Sequence, residues 1–191
     1  MGKFRDSQTA LNLHASFAAE TQARTRYDFF AARAMEEGFV QIANIFSQTA
    51  NQEYEHALRF FKFFNGGDLP VNWTFPTGVI KDTHANLLSA AALEHYVSFD
   101  MYETFAAVAE DEGFARAADT FNAIIVAEVH HEKLYLQLAD NIKSNRIFSR
   151  KSEKTWRCLS CGYLHQGAEP PDKCPACVKP RGYFEILPEN Y

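Results

Sequence analysis

Two short motifs of glutamate and histidine are the first residues in the sequence whose types and spacing could do chemistry. Glu53 is followed three residues later by His56, and Glu128 is followed three residues later by His131. In an α-helix this spacing places both side chains on one face, about one turn apart. A single motif of this kind usually lies on a helix surface, so the functional interpretation depends on the two copies being related.

The two motifs occupy equivalent positions of an internal repeat. The first part of the repeat recurs 74 positions later and the second part 75 positions later, so one inserted residue in the third helix reconciles the offsets. Polar residues are repeated as faithfully as apolar ones, which core packing alone does not require. The repeated positions are Asn12, Leu13 and Glu20 with Asn86, Leu87 and Glu94, then Gly38, Phe39, Ala43, Phe46, Glu53 and His56 with Gly113, Phe114, Ala118, Phe121, Glu128 and His131.

Each helix of this duplicated hairpin carries one glutamate within an otherwise apolar stripe. Four ionised carboxylates in an apolar interior are costly unless cations neutralise them. Two divalent ions bound by four glutamates and two histidines match the di-iron arrangement known in four-helix bundles. Mixed oxygen and nitrogen ligands favour iron or manganese over calcium or structural zinc. The candidate ligands are Glu20 and Glu94 as terminal carboxylates, Glu53 and Glu128 as bridges, and His56 and His131.

Two tyrosines and four cysteines complete the set of candidate site residues. Tyr27 and Tyr102 either donate hydrogen bonds to the ligand carboxylates or serve as core aromatics. The cysteines form two Cys-x-x-Cys knuckles that predict a tetrahedral four-thiolate site, which both zinc and iron accept. Nearby aromatic residues and an adjoining centre that needs electrons favour iron. The cysteines are Cys158, Cys161, Cys174 and Cys177, and the aromatics are Trp156, Tyr163 and Phe184.

The elements that position these residues are predicted to be four helices and a small C-terminal module. Ser7 and Asp82 are candidate N-caps, and the helices should end near Glu36, Asn65, Gly113 and Ile142. Pro70 and Pro76 interrupt the segment between the second and third helices, which is long enough to cross the bundle. The prediction is a mainly α, ferritin-like four-helix bundle over 1–145, a linker over 146–154 and a small four-cysteine iron domain over 155–191.

Composition limits the classes of partner. A formal net charge of −5 argues against nucleic acid as the main partner. Apolar runs are too short to span a membrane, and the N-terminus has no features of a signal peptide. Cysteines clustered in a chain of this kind favour a metal site over disulfides. We therefore expect a cytoplasmic protein.

Together these residues resemble one known family, the rubrerythrins. The resemblance covers essentially the whole chain, from Glu20 and Ala23-Arg24 through both Glu-x-x-His motifs and the Asp82–Leu87 segment to the rubredoxin-like knuckles. It implies a peroxidase that reduces hydrogen peroxide to water at an oxo- and carboxylate-bridged di-iron site. Electrons would come from a reductase or a rubredoxin through the four-cysteine iron. It also implies a head-to-tail homodimer, in which the thiolate-bound iron of one subunit supplies the di-iron site of the other.

One position departs from the family pattern. The third helix of the family resembles Glu-x-x-Glu, in which the second glutamate exchanges with the histidine of helix two; here Val97 stands in that place. Six ligands remain, as in bacterioferritin and the small subunit of ribonucleotide reductase, which react with dioxygen. A di-iron oxidase or ferroxidase is therefore the alternative function. We hypothesise that His56 stays bound in both oxidation states.

An iron-storing or electron-carrying module without turnover is an alternative of another class. Iron storage is disfavoured because an appended redox domain does not suit a storage cage. A structural zinc protein is disfavoured by the buried carboxylates. Iron content distinguishes this last possibility from the others.

Overall fold

The computed structural model describes residues 2–188 and consists of a helical bundle followed by a small sheet module. Two long antiparallel hairpins form the bundle, and a single-turn helix precedes them. The helices are α1 (Gly2–Arg5), α2 (Gln8–Glu36), α3 (Val40–Phe61), α4 (Thr83–His95), a π-helical segment (Tyr96–Tyr102), α5 (Glu103–Asp111) and α6 (Ala115–Lys143).

Local chemistry explains where the helices begin and end. The side chains of Ser7 and Asp82 accept hydrogen bonds from the backbone N–H three residues on, which confirms both predicted N-caps. Gly38 and Gly113 adopt positive φ values of 81° and 79° directly after the helix ends. The prediction that the second helix continues to Asn65 was wrong, because α3 ends at Phe61 and the chain turns there. Phe63 and Phe64 then pack against the apolar core that both hairpins share at this end of the bundle.

The long connection between the hairpins runs from residue 62 to residue 82 without regular structure. Arg5 donates hydrogen bonds to the carbonyls of Gly66 and Asp68, and Arg26 donates to the carbonyl of Pro76. These contacts hold the segment against the bundle as it passes from the end of α3 to the start of α4. The single long crossover confirms the predicted ferritin-like topology.

The inserted residue that the repeat predicts lies in the continuous helical stretch formed by α4, the π-helical segment and α5. Between Glu94 and Tyr102 the helix widens into a π-helical segment. A π-bulge accommodates one extra residue in an α-helix without ending it. The offset between equivalent residues therefore changes from 74 for Glu20 and Glu94 to 75 for Tyr27 and Tyr102.

The bundle core has two aromatic layers, which lie on either side of the glutamate layer. In one layer Tyr27 packs against Phe46 and Tyr135, with ring centroids 6.1 and 5.5 Å apart. In the other layer Tyr102 packs against Phe121 and Phe60, with centroids 5.4 and 5.6 Å apart. The two layers are repeat-equivalent, so the duplicated hairpin reproduces its packing as well as its sequence.

The C-terminal module is a three-stranded antiparallel sheet with strand order β2-β1-β3. Its strands are β1 (Lys154–Cys158), β2 (Leu164–Gly167) and β3 (Phe184–Ile186), and a 3-10 turn (Arg181–Tyr183) precedes β3. Trp156 is fully buried and donates its indole N–H to the Gly167 carbonyl at 2.9 Å. Trp156 and the buried Phe184 form the small apolar core beside the cysteines.

The sheet module lies against the end of the bundle at the α2–α3 turn. A Cβ atom at Gly182 would lie 2.1 Å from the Gly38 carbonyl oxygen, so only glycine permits this approach. The connecting segment packs on both modules, because Phe148 stacks on Phe39 and the Arg150 N–H donates to the Ala168 carbonyl. Within residues 2–188 no helix combines the length and apolar character needed to cross a bilayer.

Candidate metal centres

The six candidate ligands of the bundle meet in one layer at its middle. Two groups of ligand atoms converge, each with all its atoms within 4.8 Å of one another. One group contains Glu20 and His56, the other contains Glu94 and His131, and both include Glu53 and Glu128. Every carboxylate of the set is buried, and His56 is the most exposed member. The arrangement provides two adjacent cation positions that share two carboxylates.

The shared carboxylates each face both histidines. Glu53 places one oxygen 2.8 Å from His56 Nδ1 and the other 3.1 Å from His131 Nδ1. Glu128 does the same, with distances of 2.9 Å to His56 Nδ1 and 2.8 Å to His131 Nδ1. Each carboxylate thus spans the two positions, as a bridging ligand does in di-iron bundles.

Two buried oxygen atoms test whether the residues suit metal ions. Oε1 of Glu53 and Oε1 of Glu128 are inaccessible to solvent and, among the described residues, have no hydrogen bond of acceptable geometry. Both lie close to a histidine Nδ1, but the angle does not suit a hydrogen bond. A buried, unpaired carboxylate oxygen is costly. Divalent cations at the two positions would satisfy both atoms, so the donor set fits iron.

The terminal glutamates are held by tyrosines of the opposite hairpin. The Tyr102 hydroxyl donates to Glu20, and the Tyr27 hydroxyl donates to Glu94. Burial raises the pKa of Glu20 well above its ordinary value, and the charges of Glu128 and Glu53 raise it further. Burial likewise raises the pKa of Glu94, with added repulsion from the same two carboxylates. Without cations, protons are retained at this centre.

The histidines also retain protons when no cation is bound. Burial lowers the pKa of His56, but the carboxylates of Glu128 and Glu53, 2.9 and 2.8 Å from its Nδ1, outweigh that effect and raise it to about 11. The same balance raises the pKa of His131 to about 9. Metal binding at neutral pH must therefore displace protons from the site.

The four cysteines meet at one end of the sheet module. Cys158 Sγ lies 3.7 Å from Cys177 Sγ, and Cys161 Sγ lies 3.6 Å from Cys174 Sγ. A tetrahedron with metal–sulfur bonds of about 2.3 Å has edges of about 3.7–3.8 Å, so the sulfurs are spaced for one ion. Cys158 and Cys174 are buried, whereas Cys161 is exposed at the surface of the module.

Sequence reasoning missed one residue beside the centre and two glutamates at the ends of the bundle. Gln52 accepts a hydrogen bond from His131 Nε2, at 3.0 Å. Glu112 accepts from the backbone N–H groups of Gln8 and Thr9, and its repeat equivalent Glu37 accepts from the Thr83 N–H. The repeat contained the signal for the glutamates, since Glu37 and Glu112 are 75 positions apart. For Gln52 the only signal was its position beside Glu53.

Val97 lies in the π-helical segment, where it is buried beside the two terminal glutamates. It lines a cavity of about 20 Å³, together with Glu20, Glu94 and Ala23, and Phe75 of the crossover also contributes to the lining. A space of this size holds about one water molecule. On this side of the centre, mostly apolar residues and the two terminal glutamates therefore leave room for little more than one water molecule.

The protein combines a ferritin-like bundle, which has a buried carboxylate centre for two cations, with a four-thiolate module. These features define a class of protein with two metal centres in one chain. Two family models match the chain: Rubrerythrin over residues 12–139, and Rubrerythrin, rubredoxin-like domain, over residues 156–185. The chain belongs to the rubrerythrin family, which is a family of oxidoreductases. Its cofactors are two irons in the bundle and one iron in the four-cysteine module.

Named relatives match over the full length. The chain is 48% identical over 191 residues to the rubrerythrin of Nitratidesulfovibrio vulgaris and 45% identical over 196 residues to rubrerythrin-1 of Clostridium acetobutylicum, covering 100% of each. Among solved structures, mixed-valence nigerythrin is 32% identical, with a TM-score of 0.64 over 95% of this chain and 90% of that one. Bacterioferritin from Desulfovibrio desulfuricans, 20% identical with a TM-score of 0.59 over 72% of this chain and 83% of that one, shares the bundle fold.

Proposed function

We propose that the chain is a peroxidase, which reduces hydrogen peroxide to water at the two-iron centre with electrons that arrive through the four-cysteine iron. The observation that carries this proposal is the presence, in one chain, of a buried six-ligand centre and a thiolate centre with an exposed edge at Cys161. A storage or structural role needs no such second centre. When bound, iron supplies the reversible change of oxidation state that the reaction requires.

The side chains of the bundle would hold the two irons and keep protonated hydroxyl groups beside them. Glu53 and Glu128 set the separation of the two positions, while Glu20 with His56 and Glu94 with His131 complete them. Reduction of one peroxide molecule to two water molecules consumes two electrons and two protons. Burial raises the pKa of Tyr27 and of Tyr102, so both hydroxyls stay protonated beside the carboxylates.

We assign the di-iron module to residues 1–145, the linker to 146–154 and the four-cysteine module to 155–191. Sixteen residues of α2 separate Glu20 from the helix end at Glu36, which corresponds to about 24 Å along the axis. The four-cysteine module lies beyond that end, beside Gly38. Because electron transfer slows steeply with distance, the module is badly placed to serve the centre of its own chain. A head-to-tail homodimer would bring the module of a second copy to each di-iron site.

The four-cysteine module is where an external electron donor would bind. A reductase or a rubredoxin would deliver electrons at the exposed Cys161 edge. We further propose a cytoplasmic protein, because its cysteines serve as thiolates rather than as disulfides.

A second function is favoured by Val97. A di-iron oxidase or ferroxidase that reacts with dioxygen needs only the six ligands that remain. The small apolar cavity beside Glu20 and Glu94 suits a neutral diatomic molecule as well as it suits water.

Anaerobic stopped-flow reoxidation of the fully reduced, iron-loaded protein tests the two proposals. Peroxide and dioxygen are compared at equal concentration, and the visible absorbance of the four-cysteine iron reports electrons that leave it. Much faster reoxidation by peroxide supports the peroxidase, whereas equal or faster reoxidation by dioxygen overturns it in favour of the oxidase.

Dilution tests whether electrons pass between subunits. Reoxidation that slows on dilution below the dimer dissociation constant supports transfer between subunits; a rate independent of protein concentration in monomeric samples contradicts it.

A further inference from the structure

The two histidines of the di-iron centre differ at their outward-facing nitrogen atoms. Both rings direct Nδ1 towards the shared carboxylates, at 2.8–3.1 Å. Nε2 of His131 points away from the centre and lies 3.0 Å from the side-chain oxygen of Gln52 on α3. Among the described residues, no hydrogen-bond partner is found for Nε2 of His56. The side chain of His56 is 15% exposed, against 4% for His131.

The internal repeat explains why only one histidine has this contact. Gln52 directly precedes Glu53, and the residue that directly precedes Glu128 is Ala127. A methyl group accepts no hydrogen bond, so the counterpart of the Gln52 contact does not exist on the other side. One difference between the repeats therefore separates two otherwise equivalent ligands.

A hydrogen-bond acceptor at Nε2 has a defined chemical effect on a ligand histidine. It requires the neutral ring to carry its proton on Nε2, which leaves the lone pair on Nδ1 free for a cation. It also fixes the ring orientation, and loss of such partners typically weakens metal binding by about 10–100-fold. His56 has neither constraint and contacts solvent.

We propose that Gln52 is a positioning residue that fixes His131, so that the metal position of Glu94 and His131 is the more tightly held of the two. Ala127 leaves His56 free to turn, and the metal position of Glu20 and His56 exchanges its ion more readily. The inference rests on the proposed assignment of both histidines as ligands.

Proton NMR of the fully reduced, iron-loaded protein tests this inference directly. Imidazole N–H protons of iron-bound histidines give paramagnetically shifted signals that disappear in deuterated water. We expect one slowly exchanging signal, from His131, and one rapidly exchanging signal, from His56. Gln52→Ala should make both exchange rapidly, Gln52→Glu should restore the slow signal because a carboxylate also accepts, and Asn51→Ala, an exposed neighbour, should change neither.

Iron release to a ferrous chelator supplies a second measurement on the same samples. The bundle irons should leave in a fast and a slow phase, and Gln52→Ala should accelerate the slow phase by about 10–100-fold. Ala127→Gln should retard the fast phase by giving His56 the missing acceptor. The helical circular dichroism of each variant confirms that the bundle is folded.

The possible results separate failure of this inference from failure of the ligand assignment. A slow N–H signal that survives in Gln52→Ala, or equal exchange of both signals in the unaltered protein, overturns the role of Gln52. The absence of any shifted imidazole signals instead contradicts the assignment of the histidines as ligands.

Discussion

In the first hairpin the helix that carries Glu20 is a regular α-helix, whereas in the second hairpin the helix that carries Glu94 widens into a π-helical segment directly after that glutamate. The residues that face the cations are nevertheless the same in both halves. The differences lie beside them, at Ala23 and Val97 and at Gln52 and Ala127. Two cations require the same set of ligands from each hairpin, whereas the residues around those ligands are free to make the two positions unequal.

Removing either shared carboxylate should break the centre as a whole. Glu53→Ala and Glu128→Ala each remove a ligand common to both positions, so we expect iron to fall from roughly three per chain to roughly one. The four-cysteine absorbance should remain. Metal analysis with Glu55→Ala, an exposed residue of the same helix, as control checks this. If one variant keeps both bundle irons, the hairpins do not share the ligands equally.

Adding a carboxylate at Val97 should make the two hairpins less alike and should change the preference between the two oxidants. In Val97→Glu the new side chain would reach the cavity beside Glu20 and Glu94. We expect the ratio of the peroxide to the dioxygen reoxidation rate to rise by about 10–100-fold, the range for changed groups around a metal site. Val97→Leu serves as the size control in stopped-flow measurements. An unchanged ratio would show that an extra ligand does not select the oxidant.

Tyr27 and Tyr102 each donate a hydrogen bond to the terminal glutamate of the other hairpin, so removing either hydroxyl should weaken metal binding to a similar extent. The hydrogen bonds from Tyr27 and Tyr102 lower the pKa of Glu94 and Glu20, opposing the effect of burial. Tyr27→Phe and Tyr102→Phe should therefore let protons compete better, weakening ferrous binding by about tenfold each. Anaerobic metal titration measures this, with the buried Tyr135→Phe as control. A large effect of only one variant would break the symmetry.

The glutamates that close the two ends of the bundle should have the smallest effect. The Thr9 hydroxyl and backbone N–H groups hold the pKa of Glu112 below its usual range, so its contribution to stability exists above pH about 4 and disappears as the pH falls further. Glu112→Gln should cost about 1 kcal/mol at pH 7, as for a lost helix cap. Glu37→Gln should cost less, because within residues 2–188 Glu37 accepts one backbone N–H, that of Thr83, whereas Glu112 accepts two.

Urea unfolding of metal-free protein at pH 7 and pH 3 checks this last prediction. The difference between Glu112→Gln and the unaltered chain should be smaller at pH 3 than at pH 7. An equal difference at both pH values would mean that the substitution acts through packing instead of through the carboxylate charge.

The sequence alone determined the helices, the long crossover, the ten candidate ligands and even the inserted residue of the third helix. These features depend on spacing along the chain: caps and glycines mark helix ends, and residues three or four apart share a face. The end of α3 was not predicted because Phe63 and Phe64 are as compatible with a helix as with the turn that packs them against the core shared by both hairpins.

Only the tertiary structure decided how the repeats meet. That Tyr27 serves Glu94 and Tyr102 serves Glu20, and that Gln52 reaches His131 across the bundle, depends on which helices become neighbours. The close contact of Gly182 with Gly38 likewise depends on tertiary packing, and it places the four-cysteine module at the α2–α3 end of the bundle. Such contacts join residues more than 60 positions apart, and no local pattern records them because helix packing, not spacing along the chain, brings them together.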